Sequence, residues 1–105
     1  MDSTILVVED EEMVQELIRL YLENDGFKVV TAGDGQEALN RFHNQQPDLI
    51  LLDIMLPTMD GWTVCKKIRK TSSIPIIMLT ARGEELDRVL VLKHVADEYI
   101  FMPFS

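Results

Sequence analysis

The sequence has little of what holds small secreted folds together or carries a chain through a bilayer. One cysteine in 105 residues cannot close an internal disulfide, and it suits a reducing compartment. The longest apolar runs, such as Leu49 to Leu52 and Ile76 to Leu79, span four or five residues, whereas a membrane helix needs roughly eighteen. Met1-Asp2-Ser3 offers no basic signal-peptide region. Five glycines and four prolines are too few for collagen or Gly/Pro-rich disorder. Cations are scarce too. Ten Lys and Arg against eighteen Asp and Glu give a formal charge of −8, which repels nucleic acid and anionic membranes. What remains is 47% hydrophobic and 27% charged, a composition expected of one packed cytoplasmic domain spanning residues 1–105.

Hydrophobic periodicity alternates along this chain. Ile5-Leu6-Val7-Val8 is a short continuous run, as expected for a parallel strand covered on both faces. Val14, Leu17, Ile18, Tyr21 and Leu22 then recur at helical spacing, and Gly26 supplies a left-handed stop. Phe27 to Thr31 is strand-like. Asp34 with Glu37 resembles a capping box opening a helix that carries Ala38, Leu39 and Phe42 and ends before Pro47. Leu49 to Leu52 predicts a third strand, and a helix with Val64, Cys65 and Ile68 follows Asp60-Gly61. Ile76 to Leu79 predicts the fourth strand, Glu84 to about His94 the fourth helix, and Tyr99 to Phe101 the fifth strand. The βαβαβαβαβ order predicts an α/β fold with a doubly wound, five-stranded parallel sheet.

In such a sheet, ligands bind beyond the carboxyl ends of the strands, where the strand order switches direction. Strand one ends in Glu9-Asp10-Glu11-Glu12, strand three in Asp53, strand four in Thr80-Ala81 and strand five in Met102-Pro103. With strands one and three adjacent, Glu9, Asp10 and Asp53 converge. Carboxylates brought together repel, so such a cluster takes up protons or a cation. Oxygen ligands without His or Cys suit a hard ion, Mg²⁺ foremost. A Thr80 hydroxyl beside carboxylate and metal suits phosphate chemistry. Glu11 and Glu12 fit the plainer role of acids in a helix's first turn. Asp53 does not, because apolar residues flank it on both sides.

These stretches carry a resemblance. Ile5 to Glu11, Asp48 to Pro57 with Asp60-Gly61, and Pro75 to Arg82 are similar to the receiver domain of two-component response regulators, in particular the DNA-binding transcription-factor subgroup. The resemblance covers essentially the whole chain. It implies the flavodoxin-like strand order 2-1-3-4-5, and it assigns roles position by position. Asp53 is the implied phosphoacceptor. Asp10, Asp53 and the Met55 carbonyl are the implied Mg²⁺ ligands, with Glu9 acting largely through water. Thr80 and Ala81 are expected to bind the phosphoryl group, and Thr80 and Tyr99 to form the switch. The implied partners are a sensor histidine kinase and a second copy of the chain, with DNA binding left to a segment outside it.

The chain departs from the family near its end. Met102 stands where the family has a lysine that contacts the phosphoryl group, and Val95 where a glycine is usual. Val91 and His94 replace residues that are commonly small or apolar. The chain stops at Ser105, which predicts a domain incomplete at its C-terminus, lacking the fifth helix, and oligomerising to cover the open face. Two rivals follow. A phosphatase of the aspartate-nucleophile class needs a second Asp at the position of Met55. A receiver-like interaction module with impaired switching is the stronger alternative, because Met102 brings no charge. His43 and His94 are expected at the surface, Cys65 in the core, and the methionines other than Met102 as core filler.

Overall fold

The computed structural model describes residues 3–80 and 98–101. Five strands and three helices lie among them: β1 Thr4–Val8, α1 Glu12–Asn24, β2 Lys28–Ala32, α2 Gly35–Gln45, β3 Leu49–Asp53, α3 Gly61–Arg69, β4 Ile76–Thr80 and β5 Glu98–Phe101. The expected fourth helix, from Glu84 to about His94, lies outside the described residues. All strand pairs are parallel, in the order β2-β1-β3-β4-β5. This is the doubly wound arrangement expected, with its switch between β1 and β3. Asp48 helps fix the register there: its N–H donates to the Thr4 carbonyl at 2.7 Å, and its carboxylate accepts from the Thr4 N–H at 2.8 Å.

Local chemistry sets the helix ends. After α1 the Gly26 N–H donates to the Glu23 carbonyl at 3.0 Å and the Phe27 N–H to the Leu22 carbonyl at 3.1 Å. These are the two bonds of a Schellman motif, and Gly26 supplies the left-handed φ of +95° that it needs. At the start of α2 the Asp34 carboxylate accepts from the Glu37 N–H at 2.8 Å, while the Glu37 carboxylate accepts from the Gly33 N–H at 2.8 Å. The capping box therefore forms, with Glu37 reaching one residue further back than the usual motif. Helix α2 stops at Gln46, whose φ of 46° is left-handed, directly before the buried Pro47.

Alternate strand residues face opposite sides of the sheet. Leu6, Val8, Ile50, Leu52, Ile76 and Met78 pack with Ala38 of α2 and Val64, Cys65 and Ile68 of α3 in one fully buried core. Cys65 is thus the small core hydrophobe expected, and His43 is exposed as expected. The opposite face is built differently. Helix α1 has no buried residue: Val14, Ile18 and Leu22 are half-buried, while Leu17, Leu20, Tyr21 and Met13 are exposed, the last two by 71% and 86%. Helical spacing located the helix but did not tell which apolar residues are covered. Met13 and Met55 also depart from the expectation of core filling, being exposed.

Candidate functional site

The carboxyl ends of β1 and β3 build the site. Beyond Val8 the Glu9 N–H donates to the Ala32 carbonyl at 3.0 Å, and beyond Asp53 the Ile54 N–H donates to the Leu79 carbonyl at 3.1 Å. Val8 and Leu52 stand opposite each other in the register, so the residues that follow emerge side by side. Glu9, Asp10 and Asp53 each offer an oxygen, and the three oxygens lie within 4.8 Å of one another. Glu9 is 2% exposed and Asp53 8%, while Asp10 is open to solvent.

Two buried carboxylates beside a third acid are electrostatically costly. The ion pairs among the described residues join Arg19 to Glu16 and Glu23, and Arg41 to Glu37; none reaches this cluster. Burial is the main cause that pushes the Glu9 carboxyl up to about 8, and the charges of Asp53 and Asp10 add to it, against the lowering effect of the Glu11 N–H. Asp53 is also raised, chiefly by burial, with Asp10 and Glu11 adding and the hydrogen bonds from Met55 and Glu9 opposing. A proton relieves such a cluster, and so does a hard divalent cation. The donor set, all oxygen with no His or Cys, fits the cation.

The backbone around the acids is closely held. The Glu9 carboxylate accepts from the Glu11 N–H at 2.9 Å, and the Asp53 carboxylate from the Met55 N–H at 3.1 Å. Helix α3 begins directly against the Asp53 strand end. The Gly61 N–H donates to the Ile54 carbonyl at 2.9 Å, and a Cβ on Gly61 would strike the Asp53 carbonyl oxygen. Asp60 caps this helix by accepting from the Thr63 N–H at 2.9 Å. In the intervening loop Thr58 takes a left-handed φ of 61°, strained for a β-branched residue, and the Met59 N–H donates back to the Pro57 carbonyl at 2.6 Å.

Of the other residues singled out by sequence, Met55 follows Asp53 by two positions with its side chain exposed. Thr80 ends β4, one residue beyond Leu79, the partner of Asp53 in the register. Tyr99 lies in β5 opposite Met78. Ala81, Val91, His94, Val95 and Met102 lie outside the described residues. Sequence reasoning missed Gln15, whose side-chain N–H donates to the Glu9 carbonyl at 2.9 Å and to the Ala32 carbonyl at 3.3 Å. A signal existed: Gln15 shares the helical face of Ile18 and Leu22, where a polar side chain needs a partner. Gly61 is legible as the residue after the Asp60 cap, but its close contact with the Asp53 carbonyl depends on how the intervening loop folds back.

Comparison with known proteins bears on this arrangement. The family model described as "Response regulator receiver domain" matches residues 5–105. The chain is 50% identical to the probable transcriptional regulator ycf27 of Guillardia theta, over 96% of this chain and 40% of that protein. It is also 50% identical to the alkaline phosphatase synthesis transcriptional regulatory protein PhoP of Bacillus subtilis, over 100% of this chain and 44% of that protein. The chain therefore spans about two fifths of the length of these curated relatives. Among solved structures, the BeF3-activated N-terminal receiver domain of Klebsiella pneumoniae RstA superposes with a TM-score of 0.89 at 36% identity, covering 98% of this chain and 88% of that one. The receiver domain from Methanoculleus marisnigri JR1 gives 0.87 at 36% identity, over 95% and 84%.

Proposed function

This chain belongs to the response regulator receiver family, and we propose that it acts as the phosphoacceptor of a two-component pathway, with Asp53 taking the phosphoryl group. A carboxylate oxygen of Asp53 attacks phosphorus on the phosphohistidine of a sensor histidine kinase. The P–N bond breaks, and the imidazole leaves with the electron pair and picks up a proton. Asp10, Asp53 and the Met55 carbonyl would hold Mg²⁺, with Glu9 acting through water. The ion, when bound, offsets the charge on the carboxylates and phosphoryl oxygens that otherwise repel. Thr80, at the end of β4, and Ala81 bind the phosphoryl oxygens, and Thr80 with Tyr99 passes the change to a surface that a second copy recognises.

The observation that supports this reading is the convergence of Glu9, Asp10 and Asp53 at the sheet's switch point, two of them buried, with no ion-pair partner among the described residues. The domain is a signalling element rather than a classical enzyme, with room for weak self-phosphorylation and dephosphorylation at Asp53. No helix among the described residues is long and apolar enough to cross a membrane, and a kinase-fed receiver works in the cytoplasm. The chain takes its place within a transcriptional regulator whose DNA contacts belong to another segment, in keeping with its −8 charge, which disfavours contact with phosphates.

Incubation with Mg²⁺ and acetyl phosphate, followed by intact mass, tests the proposal. One phosphate adduct is expected, lost on omission of Mg²⁺ and in Asp53→Asn. Absence of any adduct would leave the receiver-like interaction module, which Met102 in place of the family's lysine favours.

A further inference from the structure

We propose that Gln15 is a positioning residue of the acidic site, fixing the peptide that joins Glu9 to Asp10 so that both carboxylates stay aimed at a shared divalent cation. The proposal rests on the phosphoacceptor reading above. Its basis is a set of hydrogen bonds that closes around Glu9. The Glu9 N–H is tied to the Ala32 carbonyl of β2, and the Glu9 carbonyl is tied to the Gln15 side chain of α1. The same Gln15 nitrogen reaches the Ala32 carbonyl, so one carboxamide spans the ends of two neighbouring strands. The Glu9 carboxylate is in turn held by the Glu11 N–H. The peptide whose carbonyl Gln15 grips is the one that carries the Asp10 N–H, and its plane sets the direction in which Asp10 leaves the strand.

The chemistry of the residue matters as much as its reach. Glu9, Asp10 and Asp53 repel one another, and the Gln15 side chain donates directly to the carbonyl of the Glu9–Asp10 peptide. A lysine or arginine at position 15 would hold the peptide but would also neutralise the cluster and compete with a cation. A carboxamide donates without charge. Gln15 is half-buried on α1, so a helix with no fully buried residue still has a polar anchor at the site.

Mg²⁺ affinity measured by titration calorimetry on the full chain tests this, with wild type, Gln15→Leu, Gln15→Asn and Asp53→Asn in parallel and urea unfolding of each without metal. The expected result is an Mg²⁺ Kd raised about tenfold in Gln15→Leu, the scale seen when groups that orient metal ligands are removed. Gln15→Asn, which keeps a shorter carboxamide, is expected to lose less. Unchanged affinity in Gln15→Leu, even with lower stability, overturns the positioning role and leaves Gln15 as a plain link between helix and sheet. If Gln15→Leu does not fold, Gln15→Asn decides by the same criterion: weaker binding than wild type supports the role and equal binding overturns it. A wild-type chain that binds no Mg²⁺ defeats the phosphoacceptor reading itself, which is a different outcome from either.

Discussion

Alternate residues of β3 and β4 look out on two differently built sides of the sheet. Ile50, Leu52, Ile76 and Met78 are fully buried beneath α2 and α3. Leu49, Leu51 and Ile77, their immediate neighbours, remain partly exposed on the side of α1. By the two-residue period, Asp53 belongs with Leu49 and Leu51. On that same side Ile5, Val7 and Leu79 are buried, and so is Asp53 at the carboxyl end of β3, opposite Leu79 in the register. A close-packed core resists small displacements, so it suits the part that fixes geometry.

The largest expected effect lies in the contrast between neighbours. Ile50→Ala removes a fully buried side chain and is expected to cost about 3–4 kcal/mol, whereas Leu51→Ala, half-exposed, should cost about 1 kcal/mol. Urea unfolding at constant slope reads both. Equal losses would break the contrast between the faces.

Next comes pH. The folded state holds a proton on Glu9 up to about 8, whereas the unfolded chain releases it near 4.3. Between those values the native state binds more protons, so the stability of the metal-free protein falls as pH rises. A loss of about 1–3 kcal/mol is expected between pH 5 and 8, read as a falling thermal midpoint. Saturating Mg²⁺ should restore most at pH 8, and Glu9→Gln should flatten the profile. A flat wild-type profile would show that the cluster is not strained.

The smallest effect sharpens the view of α1. Leu20→Gln with Tyr21→Gln, both exposed, is expected to change stability by no more than about 0.5 kcal/mol. A larger loss by urea unfolding would mean that the exposed stripe is packed in solution.

Much of the fold was legible because its signals are local. The continuous apolar runs at Ile5–Val8 and Leu49–Leu52, the Asp34–Glu37 box and the Gly26 stop each depend on a few neighbouring residues, and each formed as read. The acidic cluster was legible for a different reason: βαβ connections bring the strand ends to one edge, so acids that follow β1 and β3 must meet. What could not be read was which side of an amphipathic helix is covered. Met13, Leu17, Leu20 and Tyr21 look like candidates for burial, but exposure depends on what else lies on that face of the sheet. Nor could the left-handed Gln46 and Thr58 be foreseen, because their conformations are imposed by the packing around them rather than by their own preference.

The sequence alone determined the order and type of the described elements, the parallel sheet and the identity of the acids at its carboxyl edge, since these follow from periodicity, capping chemistry and chain connectivity. Tertiary structure decided the rest. Only the register between β1 and β3 brings three carboxylate oxygens within 4.8 Å. Only packing buries Glu9 and Asp53 until their protons are held too tightly. Only the approach of α1 and α3 places Gln15 and Gly61 against the backbone that aims the acids. The reason is physical: desolvation, repulsion and close contact are properties of groups near in space, and residues 9, 15, 53 and 61 become neighbours only when the chain has folded.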